Sequence, residues 1–210
     1  MHRKITFFHA PQSRSGAVRV LLEELGAPHE LEVLDLKAGE SRAPRYLAVN
    51  PMGKVPAIVV AQDGGEVLVT EQSAIMIYLA DLFPEAGLAP PADALQRGPY
   101  LRWMAFYGAC FEPALIDLAM KREPAPPSMC PYGDYDTMLS TLTAQLRAGP
   151  WMLGERFSAA DVLWASALAW TTAFGLVPEL PEVMDYIARF RARPAAQRAA
   201  ALDAALAAGG

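Results

Sequence analysis

The sequence predicts an α/β domain followed by an all-α domain. Strand and helix patterns alternate from Lys4 to Phe83, a turn-rich stretch runs from Pro84 to Pro91, and nothing beyond it shows sustained period-2 alternation. At 210 residues the chain holds two small cores. The expected boundaries are 1–83 for the first domain, 84–91 for the linker and 92–210 for the helical domain. With 53% hydrophobic and 20% charged residues, the composition is that of a chain that folds throughout.

Lys4 to Phe8 reads as a short buried strand, and Val18, Leu21, Leu22 and Leu25 recur at helical spacing before Gly26 stops them. His29 to Leu36 alternates as a second strand, and 41–49 makes a short helix ahead of the Asn50-Pro51 turn. Asp63-Gly64-Gly65 between Ala57–Val60 and Val67–Thr70 predicts an antiparallel hairpin, and a helix from Glu71 to Phe83 closes the unit. The order βαβα then ββα is a thioredoxin-like layout, a small mixed sheet flanked by helices. Pro56 heads an apolar β-branched strand, where its missing N–H removes no ladder bond. A cis Val55–Pro56 bond there would turn the Val55 backbone outward, toward a ligand.

In the second half, helices are expected near 92–119, 132–148, 159–172, 181–192 and 194–206, with the proline-rich stretch Arg122 to Pro131 interrupting the first two. Ser158-Ala159-Ala160-Asp161 has the form of a capping box. The alanine-rich tail from Ala195 to Gly210 reads as a last helix with a frayed end.

Several function classes are disfavoured. A net charge of −5 and a pI near 5.2 leave no basic stripe for nucleic acid. The N-terminus lacks the pattern of a signal peptide, Val162 to Val177 is too short and too polar for a membrane span, and a cytoplasmic location is expected. Cys110 and Cys130 lack metal spacing, and His2, His9 and His29 are scattered, so no metal is expected and no role falls to the histidines.

Three ordered motifs carry a further signal: Asn50-Pro51-x-Gly53-x-Val55-Pro56; Glu71-x-x-Ala74-Ile75 with Tyr78-Leu79-Ala80-Asp81; and Leu153-Gly154 with Phe157-Ser158-x-Ala160-Asp161. In these the chain resembles the cytosolic glutathione S-transferase family, over nearly its whole length. The nearest patterns are the bacterial beta and the theta-like classes, but the beta-class cysteine falls on Arg14 and the theta, zeta and tau serine on Gln12. The resemblance implies the fold of that family, glutathione as co-substrate, a homodimer, and conjugation of the thiolate to a small apolar electrophile, as in detoxification.

The residues agree with that implication. Val55 can pair with the cysteinyl backbone of glutathione as an added strand beside Pro56. Glu71 can take the γ-glutamyl ammonium, Gln72 and Ser73 its carboxylate, and Lys37 and Lys54 the glycyl carboxylate. The thiol would be activated by a hydroxyl at the start of the first helix, Ser15 or Ser13, with Arg14 adding positive potential. The plainer readings are that both serines only cap the helix, that Glu71 is an ordinary first-turn acid and that the lysines are solvated. Trp103, Tyr107 and Phe111 belong to an aromatic stripe expected to line the second-substrate pocket, or else to form a core or a dimer face. Two rival functions stay open: a glutathione-dependent isomerase or lyase, and a non-catalytic regulator on the same fold.

Overall fold

The computed structural model describes residues 3–123 and 125–209. His2, Pro124 and Gly210 lie outside the described residues. The chain divides into two compact units, one of Met1–Ala86 with Ala192–Gly210 and one of Gly87–Arg191. This differs from a helical domain running to residue 210, because the last helix packs with the first unit.

In the first unit the elements are β1 (Lys4–His9), α1 (Gly16–Leu25), β2 (Glu30–Val33), a 3₁₀ turn at Glu40–Arg42, α2 (Pro44–Leu47), β3 (Ala57–Gln62), β4 (Gly65–Thr70), α3 (Gln72–Leu82) and α9 (Pro194–Gly209). The sheet order is β2-β1-β3-β4, with β1 and β2 parallel and the other two pairs antiparallel. Period-2 alternation turns Ile5, Phe7 and His9 of β1 inward. Opposite them α1 buries Val18, Leu21 and Leu22 and ends at Gly26, whose left-handed φ of 59° lets the chain turn back. Pro194 occupies the first position of α9, where the missing N–H costs nothing. Arg193, just before it, makes a bidentate pair with Glu24 of α1 at 2.6 and 2.8 Å, and Arg198 reaches Glu23 at 3.0 Å.

The second unit is helical: α4 (Arg97–Phe106), a π turn at Tyr107–Phe111, α5 (Glu112–Met120), α6 (Tyr135–Arg147), α7 (Ala159–Ala173) and α8 (Pro181–Arg191). The single helix expected near 92–119 is thus interrupted by one wide turn. The capping box at the start of α7 is formed on both sides. Asp161 is fully buried and accepts from the amides of Ser158 (2.8 Å) and Met152 (2.6 Å) and from the Tyr186 hydroxyl (2.8 Å). Burial pushes its carboxyl up to about 6 against the pull of these donors.

Candidate active site

Strand register brings the predicted site segments together. Phe8 of β1 lies opposite Ala57 of β3, and Ala57 lies opposite Thr70 of β4. The loop that follows β1, the residues that precede β3 and the residue that follows β4 therefore emerge at one end of the sheet. His9 pairs with Val33 of β2, which places the loop carrying Lys37 at the same end. Ser13 and Ser15, Lys54 to Pro56, Glu71 to Ser73 and Lys37 converge there although they span about 60 residues of chain.

The segment before β3 is held from behind. The Lys54 carbonyl accepts from the Tyr46 hydroxyl at 2.5 Å and from the buried Asn50 amide at 2.8 Å, while the Asn50 side-chain oxygen accepts from the Met52 amide at 3.1 Å. Gly53 supplies a φ of 61°, and a Cβ there would sit 2.8 Å from the Ser41 carbonyl oxygen. The Val55–Pro56 peptide is cis. Among the described residues the N–H and C=O of Val55 have no hydrogen-bond partner, so an extended peptide backbone finds a donor and an acceptor side by side.

At the next corner α3 begins directly after Glu71, an exposed residue whose φ of 64° and ψ of 119° set it in a sparsely populated backbone region. The Glu71 side chain makes no capping hydrogen bond to α3. Its first-turn amides, at Gln72 and Ser73, point out of the helix end, where a carboxylate is favoured by both hydrogen bonding and the helix dipole. Lys54 and Lys37 are exposed, and Lys37 sits in a turn whose amide donates to the Asp35 carboxylate at 2.8 Å.

The loop after β1 separates the two serines. Ser15 takes the N-cap position of α1 but caps no helix amide, and it is fully buried. Its Oγ accepts from the Ala10 amide at 3.1 Å and lies 2.8 Å from His9 Nδ1 and 2.7 Å from Ser13 Oγ. Ser13 is half-buried and its hydroxyl also reaches the Ala10 carbonyl at 2.8 Å. Of the two hydroxyls, Ser13 is therefore the one that can face a ligand, and Ser15 stands behind it. Behind Ser15 in turn stands His9, whose Nε2 lies 2.7 Å from the carboxylate of Asp203 on α9, an ion-pair approach outside hydrogen-bond alignment. The other Asp203 oxygen accepts from the Gln12 amide at 2.9 Å, in a loop where Gln12 has a φ of 55°. Burial lowers the His9 pKa, against the pull of Asp203 and with the push of Arg19.

The family models described as the N-terminal and C-terminal domains of glutathione S-transferase match residues 14–82 and 134–194. The chain is 30% identical over 205 residues to the disulfide-bond oxidoreductase YfcG of Escherichia coli strain K12, covering 93% of this chain and 94% of that protein. It is also 30% identical over 194 residues to the glutathione S-transferase GstA of Escherichia coli O157:H7, covering 91% and 95%. The chain belongs to the glutathione S-transferase family. Its fold superposes with a TM-score of 0.75 on a sphingomonad glutathione S-transferase complexed with glutathione, at 29% identity and with coverage of 95% and 98%.

Of the readings open for the aromatic stripe, the packing observed is that of core. Trp103, Tyr107 and Phe111 are 2%, 6% and 0% exposed, and all three rings pack around the buried Trp164 at centroid distances of 5.8, 5.8 and 5.0 Å. Removing these rings from water accounts for their packing as core. Tyr107 directs its hydroxyl to Glu112 at 2.6 Å. The second unit has a cavity of about 650 Å³ lined by Ala114, Leu118, Pro126, Pro127 and Tyr132 among others, and a more open one of about 510 Å³ whose lining includes Trp103, Arg102 and Met152. Both cysteines, Cys110 and Cys130, are unpaired and belong to the second unit, so the first unit of this transferase-family chain contributes no thiol of its own. Among the described residues no group of His, Cys, Asp or Glu could hold a metal ion, and no helix is long and apolar enough to cross a membrane.

Proposed function

We propose that this chain is a glutathione transferase that binds reduced glutathione at the end of the sheet and adds its thiolate to a small apolar electrophile. The carrying observation is the convergence of an unpaired Val55 backbone, the Glu71 carboxylate at the start of α3, and the Ser13 hydroxyl at one sheet end. Their chemistry matches an anionic tripeptide with one thiol. Val55 pairs with the cysteinyl backbone, Glu71 takes the ammonium, Gln72 and Ser73 take the γ-glutamyl carboxylate, and Lys37 and Lys54 attract the glycyl carboxylate. Ser13 meets the sulfur, with Arg14 and the α1 dipole favouring the thiolate. Relatives named as glutathione transferases and a neighbour holding glutathione support this reading.

The match to a disulfide-bond oxidoreductase over most of its length favours a second use of the same thiolate, attack on a disulfide. Product analysis separates the two, since conjugation consumes glutathione into a thioether and reduction turns it into its disulfide. Calorimetric titration with reduced glutathione tests the common ground. The wild type binds, and Glu71→Ala weakens binding about tenfold or more, the cost of one charged hydrogen bond. A wild type that does not bind sinks both readings and leaves the non-catalytic regulator.

A further inference from the structure

We propose that His9, backed by Asp203, is the terminal proton acceptor for the glutathione thiol, connected to it by the hydroxyls of Ser15 and Ser13. The inference rests on the reading of the Ser13 loop as the thiol site. It starts from a continuous chain in the first unit, buried at His9 and Ser15 and reaching the surface at Ser13: Asp203 Oδ1 at 2.7 Å from His9 Nε2, His9 Nδ1 at 2.8 Å from Ser15 Oγ, and Ser15 Oγ at 2.7 Å from Ser13 Oγ. The Asp203 carboxylate 2.7 Å from Nε2 is outside hydrogen-bond alignment, but its negative charge favours a hydrogen on Nε2 over a lone pair there, so the neutral ring is taken to carry its hydrogen on Nε2. Nδ1 is then an acceptor. Its polar neighbour among these contacts is the Ser15 hydroxyl, which donates to it in preference to the Ala10 carbonyl at 3.2 Å, and Ser15 Oγ accepts from the Ala10 amide, while the Ser13 hydrogen lies inward between Ser15 Oγ at 2.7 Å and the Ala10 carbonyl at 2.8 Å.

The direction of this chain decides what Ser13 presents to the outside. With its own hydrogen turned inward, Ser13 offers a lone pair, the partner a thiol S–H needs. When the thiol docks, its proton passes to Ser13 Oγ, the Ser13 hydrogen to Ser15 Oγ and the Ser15 hydrogen to His9 Nδ1. One S–H bond is broken, one N–H bond is formed, and a thiolate and an imidazolium result with no change in net charge. The chain now runs the other way: imidazolium to Ser15, Ser15 to Ser13, and Ser13 donating to the thiolate. The imidazolium is opposed first by burial and then by Arg19 of α1 and His29 from the segment before β2, and it is supported by Asp203 from α9 and by the thiolate formed at the other end of the chain, so the ring takes the proton only with the thiol docked. When product leaves, the reverse movement delivers the proton to water at Ser13. Ser15 is too deeply buried to meet a substrate itself, so it and His9 act as positioning residues through Ser13.

The test uses the full chain with reduced glutathione. Ultraviolet difference spectra report the bound thiolate as a function of pH, and nitrogen-15 histidine NMR reports the His9 tautomer. The wild type shows a neutral His9 protonated on Nε2. Ser15→Ala and His9→Gln still bind glutathione, but each raises the pH at which thiolate appears by about one unit or more, a tenfold change in its ionisation. Asp203→Asn moves it in the same direction. Unchanged midpoints in both Ser15→Ala and His9→Gln, or a His9 protonated on Nδ1 when neutral, overturn the relay while leaving the glutathione site standing. A wild type that does not bind glutathione overturns the site and the relay together.

Discussion

His9 shows how far a single side chain can be read from its neighbours in sequence. The alternation of Ile5, Phe7 and His9 along β1 points the ring inward, so its burial was available from the pattern even though no role was. Asp203 was not available. It lies in an alanine-rich helix without a marked apolar face, and it meets Gln12 across 191 residues of chain, a separation no local rule spans. The serines were legible as a pair, but only the packing of α1 tells the buried Ser15 from the half-exposed Ser13. A pH effect on stability belongs to this scale. Burial holds His9 below its ordinary 6.5, so under acid conditions the unfolded chain takes up a proton that the folded protein refuses. The contribution is flat above about pH 6.5, and stability falls as pH drops below that value until the folded ring itself protonates. Urea denaturation of wild type and His9→Gln across this range is expected to show a shallower loss in the variant. Parallel curves would contradict it.

At the scale of elements, the motif from Asn50 to Pro56 was the most legible part of the molecule because each of its constraints is local. Asn50 closes the turn with both ends of its amide, Gly53 supplies the left-handed residue, and Pro56 directly precedes β3, where no ladder bond is lost. The tight approach of Gly53 to the Ser41 carbonyl could not be read, since it depends on how the 3₁₀ turn at Glu40–Arg42 folds back. Gly53→Ala meets both the positive φ and a contact with backbone that has little freedom to yield. A loss of about 2 kcal/mol or more in denaturant-derived stability is expected. A loss within a few tenths would mean that the turn is looser than described. The aromatic stripe was open to more than one reading for the opposite reason. Helical spacing identifies an apolar face but not its partner, and in α4 and the π turn that partner is Trp164.

For the whole molecule, the division into an α/β and a helical part followed from composition and punctuation, while the return of α9 to the first unit did not. The pairs Arg193–Glu24 and Arg198–Glu23 hold α9 on α1, and Asp203 then reaches the loop that carries Ser13. The end of the chain thus belongs to the candidate site. The central claim is that the sheet end formed by β1, β3 and β4 receives the backbone of glutathione. Titrating nitrogen-15 labelled protein with reduced glutathione tests it most directly. Saturable shifts of the Val55, Gln72 and Ser73 amides are expected, with the Val55 amide gaining protection from hydrogen exchange. Saturable binding that leaves those three amides unmoved would contradict it.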